Sequence, residues 1–406
     1  MFEKRHKKRQ EDFTRKRKIS FKNIILFELG TLKKTLALET KEFAKRANTE
    51  EFSKQAYSEA REKIEPEAFK ELNDDIIEGT YEEEHKRYEG YVILAIDGST
   101  VQLPNTKKLR EMYGGQSNQS ERETVLAKIG IIYDVINEIV LDGKIGRYDT
   151  GERETAEELI KIATRIPKVI ILMDRGYPSV RLIKLMNDIG VKYVIRLSGK
   201  FLKETNEFMN SGKEDSEIEI DIKAVRSIKG IATEFKLGIR CIRVDIESGY
   251  EYLITNLSKE EMQHNKFKEL YGKRWEIETN YNIIKNVLEL GNFTGETKIA
   301  IEQDFYATIY LNNVANIAIK EAQEEYNKKG KKETKYKYKI NRSIAIGHLK
   351  RKLIEIYLCN SPRKRKRMLK DIFDYIQRNV LPERENRQCT RINRRPKFSR
   401  SHKRVL

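Results

Sequence analysis

Three cysteines in 406 residues, Cys241, Cys359 and Cys389, are few, far apart and odd in number. Such a set builds neither a disulfide framework nor a zinc knuckle, and it suits a reducing cytosol. Long apolar runs are missing as well: nothing approaches the roughly 18 residues that a membrane span needs. The opening MFEKRHKKRQ is charged and no apolar signal-type stretch follows it, so the expectation is a cytoplasmic chain, neither secreted nor membrane-embedded. Histidine is scarce, and His6, His85, His264, His348 and His402 show no ligand spacing, which points to surface or packing roles. Neither Gly-rich nucleotide loop occurs, so no need for ATP or NAD is indicated. Acid is short overall: 81 Lys and Arg stand against 63 Asp and Glu, a formal charge of +18. That excess favours a polyanionic partner, nucleic acid first, against the blander reading that a Lys-rich surface follows genome composition.

What is present is enough for two or three structural units with a sizeable core, and twenty Tyr with fifteen Phe supply core and stacking material. Residues 1–90 read as helical and basic. In TEEFSKQAYSEAREKIEPEAFKELN, Thr49 and Ser53 are possible N-caps and Pro66 marks a break, which fits a helix-turn-helix unit or a plain helical bundle. At Tyr91 the period changes. YVILAIDGSTVQLP reads as a buried strand with Asp97 at its exit, and AKIGIIYDV with EIVLDGKIGRY as two antiparallel partners. A helix (ETAEELIKIATRI), a strand ending at Asp174 (KVIILMDRGY), a helix (SVRLIKLMNDIG) and a strand (VKYVIRLS) follow. Three antiparallel strands, helix, strand, helix, strand is the order of a mixed α/β, ribonuclease H-like core, and it predicts the Asp97 and Asp174 strands side by side. Residues 199–262 read as a β-rich insertion in a core spanning 91–325, and 326–406 as a helical, basic C-terminal region. The Lys/Arg runs NKKGKKETKYKYK, SPRKRKRMLK and RINRRPKFSRSHKRVL lie there.

A carboxylate at the exit of a buried strand is costly without a partner. Taken singly, an Asp before Gly is most often a turn or cap residue. Two on neighbouring strands, with a third from a later helix, form a set that repels itself unless a hard divalent ion with oxygen ligands intervenes, Mg²⁺ fitting best and Mn²⁺ substituting. Two such ions about 3.5–4 Å apart support in-line phosphoryl transfer without a protein nucleophile. The third carboxylate comes from LYGKRWEIETNYNIIKNVLELG, Leu270 to Gly291. Read as one amphipathic helix, it sets Tyr271, Arg274, Glu278 and Lys285 within an arc of roughly 60°, beside an apolar stripe of Ile277, Tyr281, Ile284 and Leu288. Arg274 and Glu278 could equally be a solvated i,i+4 pair worth a few tenths of a kcal/mol. Glu152 and Glu154 are either further acids near the site or helix N-terminal acids. The sole tryptophan, Trp275, reads as helix packing.

The spacing Tyr271, Arg274, Glu278, Lys285 resembles the Tyr-Arg-Glu-Lys signature of DDE transposases encoded by bacterial insertion sequences. AIDGSTVQLP and DRGY resemble that family's two Asp motifs, in the same order, with a β-rich insertion before the Glu. The resemblance runs from about FTRKRKISF into the basic tail. It implies Asp97, Asp174 and Glu278 as the catalytic, metal-binding triad. Tyr271, Arg274 and Lys285 would contact phosphates of the transposon end. Double-stranded DNA is the implied partner, as transposon end and as target, with a homodimer in the synaptic complex and a place at the nucleoid. Nicking by water would free a 3′-OH that attacks target DNA. If excision passes through a hairpin, a base is flipped onto an aromatic residue, for which Tyr250 or Tyr252 is the candidate here. The rival readings are a DNA-binding protein of the same fold that no longer catalyses, and a metal-dependent nuclease that only hydrolyses.

Overall fold

A computed structural model describes residues 2–15, 18–82, 84–117, 123–199, 201–222, 234–247, 249–329 and 336–383. The tail RINRRPKFSRSHKRVL, with His402, and Cys389 lie outside the described residues.

β1 (Val92–Gln102) is the centre of the sheet. Its residues alternate between two apolar layers, Ile93 and Ala95 in one, Val92, Leu94 and Ile96 in the other, the signature of a strand covered on both faces. β2 (Gly115–Ser117) and β4 (Ile139–Arg147) both pair with β3 (Glu123–Asp134), and β3 runs antiparallel to β1. β5 (Val169–Met173) lies parallel to β1 on its other side, and β6 (Lys192–Arg196) parallel to β5. The neighbouring strands of the sequence-based reading are therefore neighbours in space. β7 (Asp215–Ile222), β8 (Phe235–Ile246) and β9 (Gly249–Thr255) are β-rich as expected, and they continue the same sheet, β9 pairing antiparallel with β6. The segment read as an insertion thus extends the core sheet.

Among the described residues five helices precede the sheet: α1 (Phe2–His6), α2 (Phe21–Gly30), α3 (Leu36–Ala47), α4 (Lys54–Arg61) and α5 (Glu67–Glu82). Ser53 caps α4, its hydroxyl accepting from the Ala56 N–H at 3.1 Å, while Thr49 caps nothing. α6 (Lys107–Tyr113) precedes β2, and α7 (Glu152–Ala163), α8 (Val180–Asp188) and α9 (Lys203–Asn210) cover one face of the sheet. α10 (Phe267–Gly272) and α11 (Trp275–Asn282), with the front of α12 (Lys298–Lys328), cover the other. α13 (Arg342–Leu358) and α14 (Pro362–Arg378) follow, with a two-stranded ribbon of β10 (Lys337–Ile340) and β11 (Val380–Glu383).

The two basic ends of the chain share one hydrophobic core. Phe21, Ile24, Phe27 and Phe43 pack with Tyr310, Ala315, Ile346, Ile354 and Ile376, so α2, α3, α13 and α14 close around α12 as a single helical lobe. α4 and α5 join it through Tyr57 and Phe69.

Candidate active site

Two expectations about local structure are corrected here. Asp97 does not end its strand: β1 runs on to Gln102 because β3 stays paired with it, Gly98 opposite Gly130 and Thr100 opposite Lys128. What ends near Asp97 is the pairing with β5, which runs as far as Ala95 beside Leu172. Carried two residues further, that register sets Asp97 level with Asp174, and both lie on the odd or even row whose earlier members, Ile93, Ala95, Ile170 and Leu172, face α10 and α11. Both aspartates lie just past that pairing, near the helical segment that carries Glu278: Tyr271 approaches Asp174 and Tyr281 bonds Asp97 O.

That helix is not one regular α-helix. It tightens between α10 and α11, where the Arg274 N–H donates to Tyr271 O at 3.0 Å and the Ile277 N–H to Arg274 O at 3.2 Å. It then widens into a π-turn over Ile283–Val287, the Leu288 N–H reaching Ile283 O at 2.9 Å. Gly272, costly in a helix interior, sits at the tightened end. The apolar stripe survives, with Ile277, Tyr281, Ile284 and Leu288 all buried. The four polar residues keep to the site side by different means from a constant 100° step: Tyr271 ends α10, Arg274 precedes α11, Glu278 lies within it, and Lys285 rides the π-turn, a distortion frequent at functional sites.

The side chains meet as follows. The Tyr271 hydroxyl lies 3.5 Å from both Asp174 Oδ1 and Met173 O, and Tyr271 itself is buried. Arg274 donates to Glu278 Oε1 at 3.0 Å. Only 3% of Arg274 is exposed, so the pair forms but is not the solvated bridge that spacing allowed. Tyr281 fixes β1 beneath the helix through a 2.8 Å bond from its hydroxyl to Asp97 O. Lys285 donates to the Ser99 hydroxyl and, at 2.8 Å, to Thr100 O. Burial pushes the Asp97 carboxyl up to about 6; the Gly98 N–H and Arg274 oppose this, while Glu152 and Glu278 reinforce it. Burial likewise lowers Lys285, with Asp97 opposing.

Glu152 resolves one open alternative. α7 lies close to the sheet because Gly98 and Gly130 have no side chains there: a Cβ on Gly130 would sit 2.6 Å from Thr155 Cγ2, and one on Gly98 3.2 Å from Glu152 Cγ. Glu152, at the start of α7, thereby comes beside Asp97, held by Lys128 Nζ at 2.6 Å. Two residues at this site escaped the sequence reading. Lys128 is one, and Arg196 is the other, 3.9 Å from Asp174 and 3.1 Å from Glu251. Arg196 closes β6 much as Asp174 follows β5, so the strand-end logic applied to the acids would have found it.

The donor set is all oxygen, and the raised Asp97 carboxyl in a crowd of acids is what a bound cation would relieve. Among the described residues, however, no three of His, Cys, Asp and Glu stand close enough to share one ion. Arg274 is the physical reason: its guanidinium bonds Glu278 and interacts with Asp174 and Asp97, serving as the cation of this arrangement. Trp275 corrects a further expectation. It is 54% exposed and stacks near Arg274, 4.9 Å from ring centre to guanidinium, so it does not pack the helix. Tyr250 is 58% exposed beside Arg243, whereas the Tyr252 hydroxyl is spent on Met209 O at 3.1 Å. The histidines within the described residues are apart: His6 pairs with Glu71 at 2.7 Å, His264 meets Arg243 O at 2.9 Å, and His348 stacks on Tyr375.

Aspartates from adjacent strands, an acid from a covering helix and the cations Arg274, Arg196, Lys128 and Lys285 gather at one edge of the sheet. The family described as Transposase DDE domain matches residues 88–313, more than half of the 406-residue chain. The chain belongs to that family and is a DNA transposase, an enzyme of phosphoryl transfer on DNA. It is similar to the transposase InsG for insertion sequence element IS4 of Escherichia coli strain K12, 22% identical over 314 residues that span 76% of this chain and 69% of InsG. A solved structure of the piggyBac transposase synaptic complex with hairpin DNA matches with a TM-score of 0.42 and 13% identity, over 95% of this chain and 82% of that one. That likeness is too loose to bear on the fold. Among the described residues no helix is long and apolar enough to cross a membrane.

Proposed function

We propose that Asp97, Asp174 and Glu278 form the catalytic triad of this transposase and hold its divalent ions, Mg²⁺ with Mn²⁺ as a substitute. The observation that supports this is that the helical segment carrying Glu278 reaches both aspartates: Tyr271 lies 3.5 Å from Asp174 Oδ1 and Tyr281 bonds Asp97 O at 2.8 Å. When bound, the ions would supply charge neutralisation and activation at the scissile phosphate. The chain's own part is positioning. Tyr281 and Tyr271 hold the helix against β1 at Asp97 and against the end of β5, and Arg274 holds Glu278 by a 3.0 Å hydrogen bond. For Glu278 to reach the aspartates Arg274 must release it, and an incoming phosphate is the natural alternative partner for that guanidinium. Arg274 and Tyr271 are therefore phosphate ligands of an opened site, and Lys285 a phosphate ligand at its rim. Tyr250, exposed and already over a guanidinium, is the better of the two tyrosines for stacking on an extruded base.

The strand order β4, β3, β1, β5, β6, antiparallel then parallel, supports a ribonuclease H-like core within 91–325, enlarged by 199–262. Residues 1–90 and 326–406 serve DNA binding, the exposed Arg363 to Arg367 run of α14 providing one cationic surface. A homodimer would bring two ends together at the nucleoid, in the cytoplasm.

The deciding experiment presents the full chain with a duplex carrying the element's terminal sequence as a pre-nicked 3′-OH donor, a target plasmid and Mg²⁺. Donor joined to target is the expected product. Hydrolysis without joining would assign the chain to the nucleases, and DNA binding without any metal-dependent product to the silent relatives.

A further inference from the structure

Away from the carboxylates, the loop after α2, the π-turn and α13 surround a cavity of about 500 Å³. Its walls carry Lys33, Lys34, Lys350 and Arg351 against one acid, Glu289. Two of these cations have partners: Lys34 Nζ is 2.6 Å from Glu42, and Lys33 Nζ is 3.8 Å from Asp304. Lys350 differs. It is 8% exposed, and among the described residues its ammonium has neither a hydrogen bond nor a carboxylate within ion-pair distance. Burial, with Lys33 nearby, pulls that ammonium down to about 8. Glu39, Glu289 and Asp304 act on it only at a distance, and a buried ammonium that no carboxylate or carbonyl contacts, lining a cavity with three other cations, marks the space as a place for an anion.

The frame around it is fixed. Arg46 donates to the carbonyls of Lys350 and Arg351 at 3.2 and 2.6 Å, tying this turn of α13 to α3. Glu39 accepts from the N–H groups of Leu32 and Lys34, both at 2.8 Å, and holds Lys33 in the left-handed region at φ 62°. The opposite wall, Asn286 to Glu289, belongs to the same turn whose Lys285 reaches Ser99 and Thr100 beside Asp97. The cavity and the catalytic edge are two sides of one distorted turn of helix.

We propose that this cavity is a phosphate-binding site, Lys350 its central ligand and Arg351 its rim, and that it takes a backbone phosphate of the DNA on which the transposase acts. The site rests on the chain's being a DNA transposase and not on the carboxylate triad. A free phosphate ion shares the ligand chemistry and is separated by the test. Binding of the full chain to a short duplex of arbitrary sequence, without divalent ions, is followed across a salt series for wild type and Lys350→Met. Loss of one phosphate contact makes the variant's salt dependence shallower by about one counterion and weakens low-salt binding by about tenfold. In parallel, melting is recorded with inorganic phosphate against sodium chloride of equal ionic strength. A shallower slope establishes the DNA site. An unchanged slope, with phosphate raising the wild-type melting temperature but not the variant's, overturns the assignment to DNA and leaves a free-anion site. No difference in either assay overturns the site altogether. Should Lys350→Met fail to fold, Arg351→Gln, on an exposed position, takes its place in both assays. Because no cleavage is scored, failure here is distinct from failure of the triad.

Discussion

The molecule holds two clusters of buried charge that use the same residue types to opposite ends. In the helical lobe Arg61, 1% exposed, donates to Gln303 Oε1 at 2.9 Å, Thr294 Oγ1 at 2.7 Å and Ala300 O at 3.1 Å, with Glu28 2.9 Å away. Asp304 accepts the Thr294 N–H at 2.6 Å and its hydroxyl at 2.8 Å; burial pushes its acid up, but Lys33, Arg61 and Thr294 together hold it below the usual range. This cluster joins α2, α4 and α12 and is directionally saturated except at Glu28, whose oxygens receive no aligned hydrogen bond. At the sheet edge the contacts are longer: 3.5 Å from Tyr271 to Asp174 and 3.9 Å from Arg196 to Asp174, with the Glu278 side chain 30% exposed. Saturation makes the first cluster a clamp between the ends of the chain. Incompleteness leaves the second free to change partners, as the proposed phosphate and metal chemistry requires.

The sharpest way to break that contrast is to remove one charge from each. At the sheet edge, Asp174→Asn lowers strand cleavage by about a thousandfold or more, about 4 kcal/mol of barrier, with the midpoint of unfolding unchanged; near-normal cleavage on a gel would remove Asp174 from the triad. In the lobe the effect reverses. Arg61→Met leaves the buried acids Glu28 and Asp304 without their shared guanidinium, strands the partners of three hydrogen bonds and lowers unfolding free energy by about 3–5 kcal/mol, read by chemical denaturation, and a loss below about 1 kcal/mol would deny the clamp. Glu28 sharpens the contrast through pH. Burial raises its acid from 4.5 to about 8, Arg61 opposing and Asp304 adding. A raised acid stabilises the fold fully below its unfolded value and loses that contribution as pH rises through the folded one. Glu28→Gln therefore gains stability over wild type at pH 8, by a few kcal/mol, and none at pH 4; an equal difference at both would mean that Glu28 does not titrate in this range. The smallest effect belongs to Trp275. Exposed as it is, Trp275→Ala shifts unfolding free energy by no more than about 0.5 kcal/mol, and a loss above about 2 kcal/mol would restore the packing role that its place in the sequence suggested.

Local pattern carried the strands and the pairing of the Asp97 and Asp174 strands, because alternation and apolar runs follow directly from burial on one or two faces. It carried the polar row on the Glu278 helix too, though not its geometry: the tightening at Arg274 and the π-turn at Lys285 accompany contacts of Tyr271, Tyr281 and Lys285 with Asp174, Asp97 and Thr100 that no window of sequence contains. Asp97 was misread as a strand end because Gly98 and Ser99 look like a turn, whereas Gly98 is small so that α7 and Glu152 can approach. The shared core of the two chain ends was invisible for a different reason. Lys and Arg runs announce solvent and DNA, while the Phe and Ile residues between them are matched to partners at the other end of the chain, Phe21 and Ile24 sharing a core with Ile346 and Ile354. Arg274 shows the limit most clearly: spacing paired it with Glu278, and only the fold reveals that it also lies within electrostatic reach of both aspartates.

The central claim is that the three acids come together around divalent metal once Arg274 turns to phosphate. Crystals of the chain with a DNA duplex and Mn²⁺, examined by anomalous diffraction, test it directly. The account predicts manganese bound by Asp97, Asp174 and Glu278, with the Arg274 guanidinium on a DNA phosphate. Metal held without Glu278, and Glu278 still bonded to Arg274 while DNA occupies the site, would contradict it.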